Sequence, residues 1–345
     1  MANAHDERGF NTVGSDAMER RQKKQVMQTY TLFGVIALFV LMVAVLLVMA
    51  VGGIISNLRG ANDKKPNISG DGIKWGTITV ATSDTLSGDL LLVNNSHAYT
   101  FPQNDDHLAE IYSVWAKHAT KPYVLSGLSK YMDRDALNAL DAMLTDFAET
   151  SGKTNVQVRY AYRTAEDQAA FSVEPGYSDH HTGLGCELKY SVSSGGSSAS
   201  YDLSNDPAYA WIVENCHKYG FIVRYPADKV EKTEIEDYES YFRYVGVAHA
   251  TYMKNKGLCL EEYIETLHTY TAKNPLKISG ADGKSYEVYY VAVEGSATVS
   301  YPTNYAYSFS GTNEGGVVVT VDCSAPIQPT EGDTGADTSA DNPEA

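Results

Sequence analysis

The sequence predicts a protein that mixes helices and strands, and three observations carry that expectation. Two stretches, Asp105–Ala119 and Arg134–Thr150, place apolar residues at helical spacing: Leu108, Ile111, Tyr112 and Trp115 in the first, Leu137, Leu140, Leu144 and Phe147 in the second. Short β-prone runs alternate with such stretches, among them VQVRYAYR (156–163) and FIVRY (221–225). After Pro275 the texture changes: DGKSYEVYYVAV and GGVVVTVD are β-rich and separated by Gly, Ser and Asn turns, which predicts a small β appendage over 273–323.

Taken in order, the elements of the central region follow from local chemistry. LLLVNN (90–95) reads as a short buried strand, and the helix from Arg134 ends with Gly152 just beyond it. Asp206-Pro207 is a helix start, a capping acid followed by proline at the first helical position, and that helix carries Trp211, Ile212, Cys216 and Tyr219 before Gly220 ends it. VGVAHATYMKNKG and LEEYIETLHTY read as two further short helices.

The flanks are different in kind. Leu32–Ile55 is free of charge and long enough to cross a bilayer core of about 30 Å as a helix. A cleaved signal peptide is the competing reading, but the leader before this stretch is long and no clear A-x-A cleavage site follows. Residues 31–55 are therefore expected to be one retained transmembrane helix behind a cytoplasmic segment, 1–30. Arg20, Arg21, Lys23 and Lys24 precede it and Arg59, Lys64 and Lys65 follow, a bias that places the remainder outside the cytoplasm. Residues 56–87, which open with SNLRGANDKKPNISGDG, are expected to be a linker to a domain at 88–272. From Ser324 to Ala345 the acids Glu331, Asp333, Asp337, Asp341 and Glu344 stand without Lys or Arg, the composition of a disordered acidic tail.

Charge and cysteine usage remove several function classes. A net charge of −16 over 345 residues argues against nucleic acid as a partner. The four cysteines, Cys186, Cys216, Cys259 and Cys323, form no CxxC pair of the kind that holds zinc or does redox chemistry. One disulfide is permitted, but Cys216 and Cys259 lie in apolar helical patterns, where buried free thiols are expected.

One cluster concentrates chemistry-bearing residues: Ser178-Asp179-His180-His181-Thr182-Gly183-Leu184-Gly185-Cys186-Glu187. His180 and Glu187 offer a nitrogen and an oxygen donor across a glycine-rich turn, both acceptable to zinc at about 2.0–2.2 Å. Two donors alone make a weak site.

Five ordered blocks resemble the VanY-type D-alanyl-D-alanine carboxypeptidases, which trim peptidoglycan stem peptides. RYAYRTAEDQ is similar to the family's SGYRSxxxQ, EPGYSDHHTGLGCEL to its PGxSEHxTGLAxDI, and WIVENCHKYGFIVRYPADK to its WLxENAxKYGFIxRYPxGK; YESYFRYVG falls where the family has EPWHFRYVG, and GLCLEEYIE follows. The resemblance runs from about Leu90 to Tyr270. It implies an α+β domain with a central antiparallel sheet flanked by helices, preceded here by the transmembrane helix and followed by the β appendage. It also implies zinc held by His, Asp and His, a Glu as general base, and an Arg that contacts substrate.

Carried over by position, the first ligand is His180 and the second is Glu187 in place of Asp. The third falls on Tyr241 and the base on Tyr238, with Glu239 one residue late. On a strand that slip points a side chain to the opposite face. Arg163, Gln168 and Ser178 match the substrate-binding positions. A zinc enzyme lowers the pKa of a bound water to about 7, and a neutral tyrosine, with a pKa of roughly 10, is a poor substitute ligand. Losing the base alone removes about 10²–10⁴ in rate. His181 is a possible substitute ligand, although adjacent residues on a strand diverge; His249 is expected to pack and His217 to be solvated.

The sequence therefore predicts a catalytically impaired carboxypeptidase-like protein, with zinc weak or absent, that binds peptidoglycan peptide or an envelope protein. Two alternatives stand beside it: an active zinc D,D-carboxypeptidase, and a structural envelope protein with a closed cleft.

Overall fold

The computed structural model describes residues 73–327, with Ser129, Asp237 and Ala325 excepted. The expected cytoplasmic segment, the transmembrane helix, the tether up to residue 72 and the acidic tail from residue 328 lie outside the described residues. Among the described residues, no helix is long and apolar enough to cross a membrane.

The chain enters through β1 (Trp75–Ala81) and passes through β2 (Leu108–Glu110), helix α1 (Ile111–Trp115), β3 (Val124–Leu125) and β4 (Tyr131–Asp133) into α2 (Arg134–Ser151). Then come β5 (Val156–Val158), α3 (Ala165–Gln168), β6 (Gly185–Ser194), β7 (Ser197–Asp202), α4 (Ala210–Asn215), β8 (Phe221–Val223), α5 (Val230–Thr233), β9 (Tyr241–Tyr244), α6 (Val247–Lys256) and α7 (Leu260–Leu267). The last strands are β10 (Leu276–Ser279), β11 (Ser285–Ala292), β12 (Ser296–Pro302), β13 (Ala306–Gly311) and β14 (Gly316–Asp322). The central sheet runs β3-β5-β6-β9-β8, with β7 paired to β6. It is antiparallel except where β3 meets β5 in parallel.

The long helix forms for the reasons its sequence gives. Asp133 caps α2 by accepting from the Asp135 and Ala136 amides, and Gly152 ends it at φ 71°, a left-handed position that suits glycine. Its face of Leu137, Leu140, Met143, Leu144 and Phe147 is fully buried, and these side chains share the core beneath the sheet with Val156, Val158, Leu188 and Phe242.

Four expectations change. Leu90–Val93 is buried but is not a strand: the Leu90 amide donates to the Ser310 hydroxyl, and the carbonyls of Asp89 and Leu91 accept from Arg243, so backbone needs are met without a ladder. Asp105–Ala119 is only partly helical, because Leu108–Glu110 pairs with β4 before α1 begins. The helix after Asp206 is broken into 3₁₀ turns around α4, still ending at Gly220 with φ 83°. Finally, the expected linker, 56–87, contains β1 from Trp75 onward, which pairs along its whole length with β12.

The β appendage is accordingly not a separate body. Leu276, Ile278, Val288 and Val318 share one buried cluster with Leu90, Leu92, Ile222, Met253, Tyr263 and Ile264. His249, buried on α6 as expected, is hydrogen-bonded to the Tyr263 hydroxyl at 2.7 Å and to the Thr320 hydroxyl at 3.0 Å, fastening β14 to the helices. All four cysteines are free thiols.

Candidate functional site

The turn bearing His180 is fixed by a glycine that no other residue could replace without strain. Asp179–Thr182 forms a 3₁₀ turn closed by Gly183 at φ 70°, where an added Cβ would stand 2.6 Å from Leu108 Cδ2 and 3.2 Å from the Asp133 amide. The segment beyond β5 runs beside this turn: the Arg163 amide donates to the His180 carbonyl, and the Glu187 amide donates to the Tyr160 carbonyl. His180, Glu187 and Arg163 are thereby brought close together, with Tyr238 and Tyr241 against His180.

His180 is buried, and its Nδ1–H donates to the Ala161 carbonyl at 2.7 Å, which leaves Nε2 as the acceptor nitrogen. Burial, and then the Arg163 guanidinium, push its pKa down to about 3, so the ring is neutral. Nε2 faces the Tyr238 hydroxyl at 3.5 Å. His181 is no substitute ligand: its Nδ1–H donates to the Arg163 carbonyl at 2.7 Å and its Nε2 accepts the Gly176 amide at 3.0 Å, so both nitrogens are committed.

Tyr241 sits opposite Glu187 in the β6–β9 register and meets His180 edge-on at 4.5 Å between ring centres. Its hydroxyl donates to Asp179 at 3.2 Å. Tyr225, Tyr238 and Tyr241 form a stack, with Tyr238 and Tyr241 5.4 Å apart and 20° from parallel. Burial raises both the Tyr238 and Tyr241 phenols above the usual tyrosine range, with Glu187 adding to the first and Asp179 to the second. Both therefore remain protonated. Room for Tyr241 comes from Gly185: a Cβ there would lie 2.4 Å from the Tyr241 hydroxyl oxygen.

Glu187 is buried, but its carboxylate lies against cations, with Oε2 3.6 Å from Arg159 Nε and Oε1 3.5 Å from Lys189 Nζ, while Ser240 donates to Oε1 at 3.4 Å. Glu239 does not take the base's place. It is exposed, and its carboxylate accepts the Ala227 amide at 3.3 Å. Among the described residues, no group of three His, Cys, Asp or Glu side chains is arranged to hold a metal ion. The donors present do not fit a zinc centre, which needs three protein ligands beside an open position.

Arg163 is buried too, with its guanidinium 3.7 Å from the Phe171 ring centre and donating to Gln168 Oε1 at 3.1 Å. Gln168 is in turn anchored on the Val173 carbonyl at 2.9 Å. A cavity of about 530 Å³ opens beside Arg163, bounded by Leu108, Lys130, Tyr131, Tyr160 and Phe171 among others. Ser178 is buried just before the His180 turn, and its hydroxyl makes no capping bond there.

Beneath the cleft lies a charge network that sequence reasoning missed. Asp179, buried, takes Arg243 Nη1 and lies 3.7 Å from Arg224 Nε; Arg224 makes a two-pronged bond to Glu261 at 2.7 and 2.9 Å. Both arginines are fully buried. The available signal was an arginine inside each of two apolar strand runs, FIVRY and YFRYVG, since a charge in a core strand demands a partner.

Comparison with known proteins gives a consistent result. The sequence model of the VanY family, D-alanyl-D-alanine carboxypeptidase, matches residues 157–247. A D-alanyl-D-alanine carboxypeptidase of Enterococcus faecium is 31% identical over 253 residues, 70% of this chain and 78% of that protein. The crystal structure of the vancomycin-resistance D,D-dipeptidase VanXYg in complex with a D-Ala-D-Ala phosphinate analog aligns with 72% of this chain and 99% of its own, at 25% identity and a TM-score of 0.62. A VanY D,D-pentapeptidase variant solved in complex with Zn(II) aligns with 51% of this chain and 98% of its own, at 27% identity and a TM-score of 0.37.

Proposed function

This chain belongs to the VanY family of D-alanyl-D-alanine carboxypeptidases, and we propose that it recognises peptidoglycan stem peptides without cleaving them, held outside the membrane by its N-terminal segment. A peptidoglycan-related, carboxypeptidase-like role follows from the family. The non-catalytic reading rests on one observation: the positions that correspond to the third ligand and the base carry phenols already engaged with the protein, Tyr241 with Asp179 and Tyr238 over His180 Nε2. A buried, protonated phenol neither supplies a charge to zinc nor takes a proton from water. No hydrolytic step is derived through this site.

The chain's own residues support binding instead. Arg163 is oriented by Gln168 and Phe171, and it borders a cavity large enough for a short peptide. That open space favours recognition over a structural role with a closed cleft. Anchoring draws on the charge-free Leu32–Ile55 stretch and on the cations that precede it.

Full-length protein incubated with zinc and an acyl-D-Ala-D-Ala peptide tests the reading. The expected result is saturable peptide binding with no D-alanine released above background. Zinc-dependent release that disappears in His180→Ala would overturn it in favour of an active D,D-carboxypeptidase.

A further inference from the structure

His181 is fully buried beside the cleft, and it does not line the cavity. Each of its two nitrogens bonds to a different stretch of backbone: Nδ1–H to the Arg163 carbonyl at 2.7 Å, and Nε2 from the Gly176 amide at 3.0 Å. An amide donor at Nε2 requires a lone pair there, so this geometry belongs to the neutral ring with its proton on Nδ1. The ring also packs against two aromatic neighbours, Tyr99 stacked on it at 6.0 Å between ring centres and Phe101 edge-on at 4.8 Å.

The two stretches joined by His181 are the ones that hold the Arg163 guanidinium. The first is the backbone that bears it. The second is the largely exposed loop of residues 169–177, between α3 and the His180 turn, which carries Phe171, the ring 3.7 Å from the guanidinium. At its start this loop is tied to Gln168, whose carbonyl accepts the Phe171 amide at 2.9 Å and whose side chain donates to the Val173 carbonyl at 2.9 Å. Near its end it is tied at Gly176, by the amide to His181 and by the carbonyl, which accepts the Tyr99 amide at 2.7 Å. A ring bonded to both stretches sets the spacing between the arginine and the aromatic it lies on. A residue that only filled space there would need neither nitrogen, since an apolar ring would pack against Tyr99 and Phe101 as well.

We infer that His181 is a positioning residue of the cleft, spanning the Arg163 carbonyl and the Gly176 amide so that Arg163 stands fixed against Phe171 for peptide recognition. The inference rests on the peptide-recognition reading above and adds to it what holds the recognising side chain in place.

The test is calorimetric titration of the full-length protein with an acyl-D-Ala-D-Ala peptide, together with hydrogen–deuterium exchange of the free protein. His181→Phe keeps a ring against Tyr99 and Phe101 but removes both hydrogen bonds, whereas His181→Gln keeps a donor and an acceptor on one planar group. The phenylalanine variant is expected to bind peptide about fivefold more weakly, the scale of one hydrogen bond, and the glutamine variant within about twofold of wild type. In an Arg163→Ala background His181→Phe should change binding by less than about twofold, because its effect passes through the arginine. In the free protein it should speed exchange across residues 169–177 and leave α2 protected. Near-ultraviolet circular dichroism checks that each variant is folded, and His181→Leu takes the place of a phenylalanine variant that is not. Wild-type binding by His181→Phe overturns the inference, as does an undiminished loss without Arg163 or a glutamine variant that binds no better than the phenylalanine one. If no protein binds peptide, the recognition reading falls; exchange then decides the inference, which unchanged rates across 169–177 overturn and faster rates confined to that loop support. Release of D-alanine overturns only the non-catalytic reading, and the same variants, compared in KM, still decide the inference.

Discussion

On the His180 side of the cleft, rings and charges satisfy one another: His180 donates to Ala161, Tyr241 donates to Asp179, and Glu187 lies between Arg159 and Lys189. On the Arg163 side, Arg163 and Lys130 border a cavity of about 530 Å³ together with Asp105 and Asp167, and among the described residues no ion pair joins them. The two sides share a frame, since the Arg163 amide is bonded to the His180 carbonyl, so the contrast does not come from distance in the fold. It comes from which groups were exchanged. Where the family motif has alanine, aspartate and histidine, this chain has Gly185, Glu187 and Tyr241. The glycine is what admits the phenol, and the longer acid reaches neighbouring cations. The first side is closed by its own hydrogen bonds and ion pairs, Glu187 Oε2 alone of the Glu187 oxygens lacking a hydrogen bond, and the second keeps cations and acids that are not paired with one another.

The largest expected effect lies on the closed side. Asp179→Ala would leave Arg243 and Arg224 buried and short of a counter-charge, and should destabilise the fold by about 3–5 kcal/mol in denaturant unfolding. An effect near zero would show that the floor of the cleft is not held by charge.

Acid sensitivity reports on the junction beneath the cleft as well as on His180, whose pKa burial lowers to about 3. Burial lowers the His249 pKa to about 4 from the ordinary histidine value of 6.5. A neutral buried histidine binds fewer protons folded than unfolded, so its stabilisation is complete above pH 6.5 and is lost as pH falls through 6.5 toward 4. His249→Gln should therefore flatten the acid limb of the stability curve in that window by roughly 3 kcal/mol. If that limb is unchanged, the bond between α6 and β14 does not contribute to acid unfolding.

Gly185→Ala should cost about 1–3 kcal/mol, because its Cβ would overlap the Tyr241 hydroxyl. Much of that cost should vanish in the Gly185→Ala/Tyr241→His double variant. A double-mutant cycle on unfolding free energies measures the coupling, and simple additivity would contradict the claim that the glycine makes room for the phenol.

The smallest effect on the fold is expected on the open side. Arg163→Ala should cost about 1 kcal/mol, because buried Gln168 Oε1 loses its donor, while weakening peptide binding by about tenfold or more. Equal binding would erase the contrast between the two sides.

How far these features were legible varied with how local their causes are. The helix from Arg134 was readable because its cap, its apolar stripe and its terminal glycine all lie within one stretch of chain. The family resemblance was readable because its five motifs are each local in the chain and lie in order, and the fold brings His180, Glu187, Tyr238 and Tyr241 near one another. The strand at Trp75–Ala81 was not legible, because its partner at Ser296–Pro302 is remote in sequence and nothing local distinguishes it from a tether. Leu90–Val93 read as a strand from its apolarity, but apolar residues also bury in irregular backbone when a side chain such as Arg243 meets the carbonyls. Lys130 was invisible for a similar reason: only the fold brings it against Tyr160 and the arginines.

Zinc titration of the purified protein, followed by calorimetry, tests the central claim most directly. Wild type is predicted to show no saturable site that depends on His180, whereas a variant combining Gly185→Ala, Glu187→Asp, Tyr238→Glu and Tyr241→His should gain one. One zinc bound per wild-type chain and lost in His180→Ala would contradict the account.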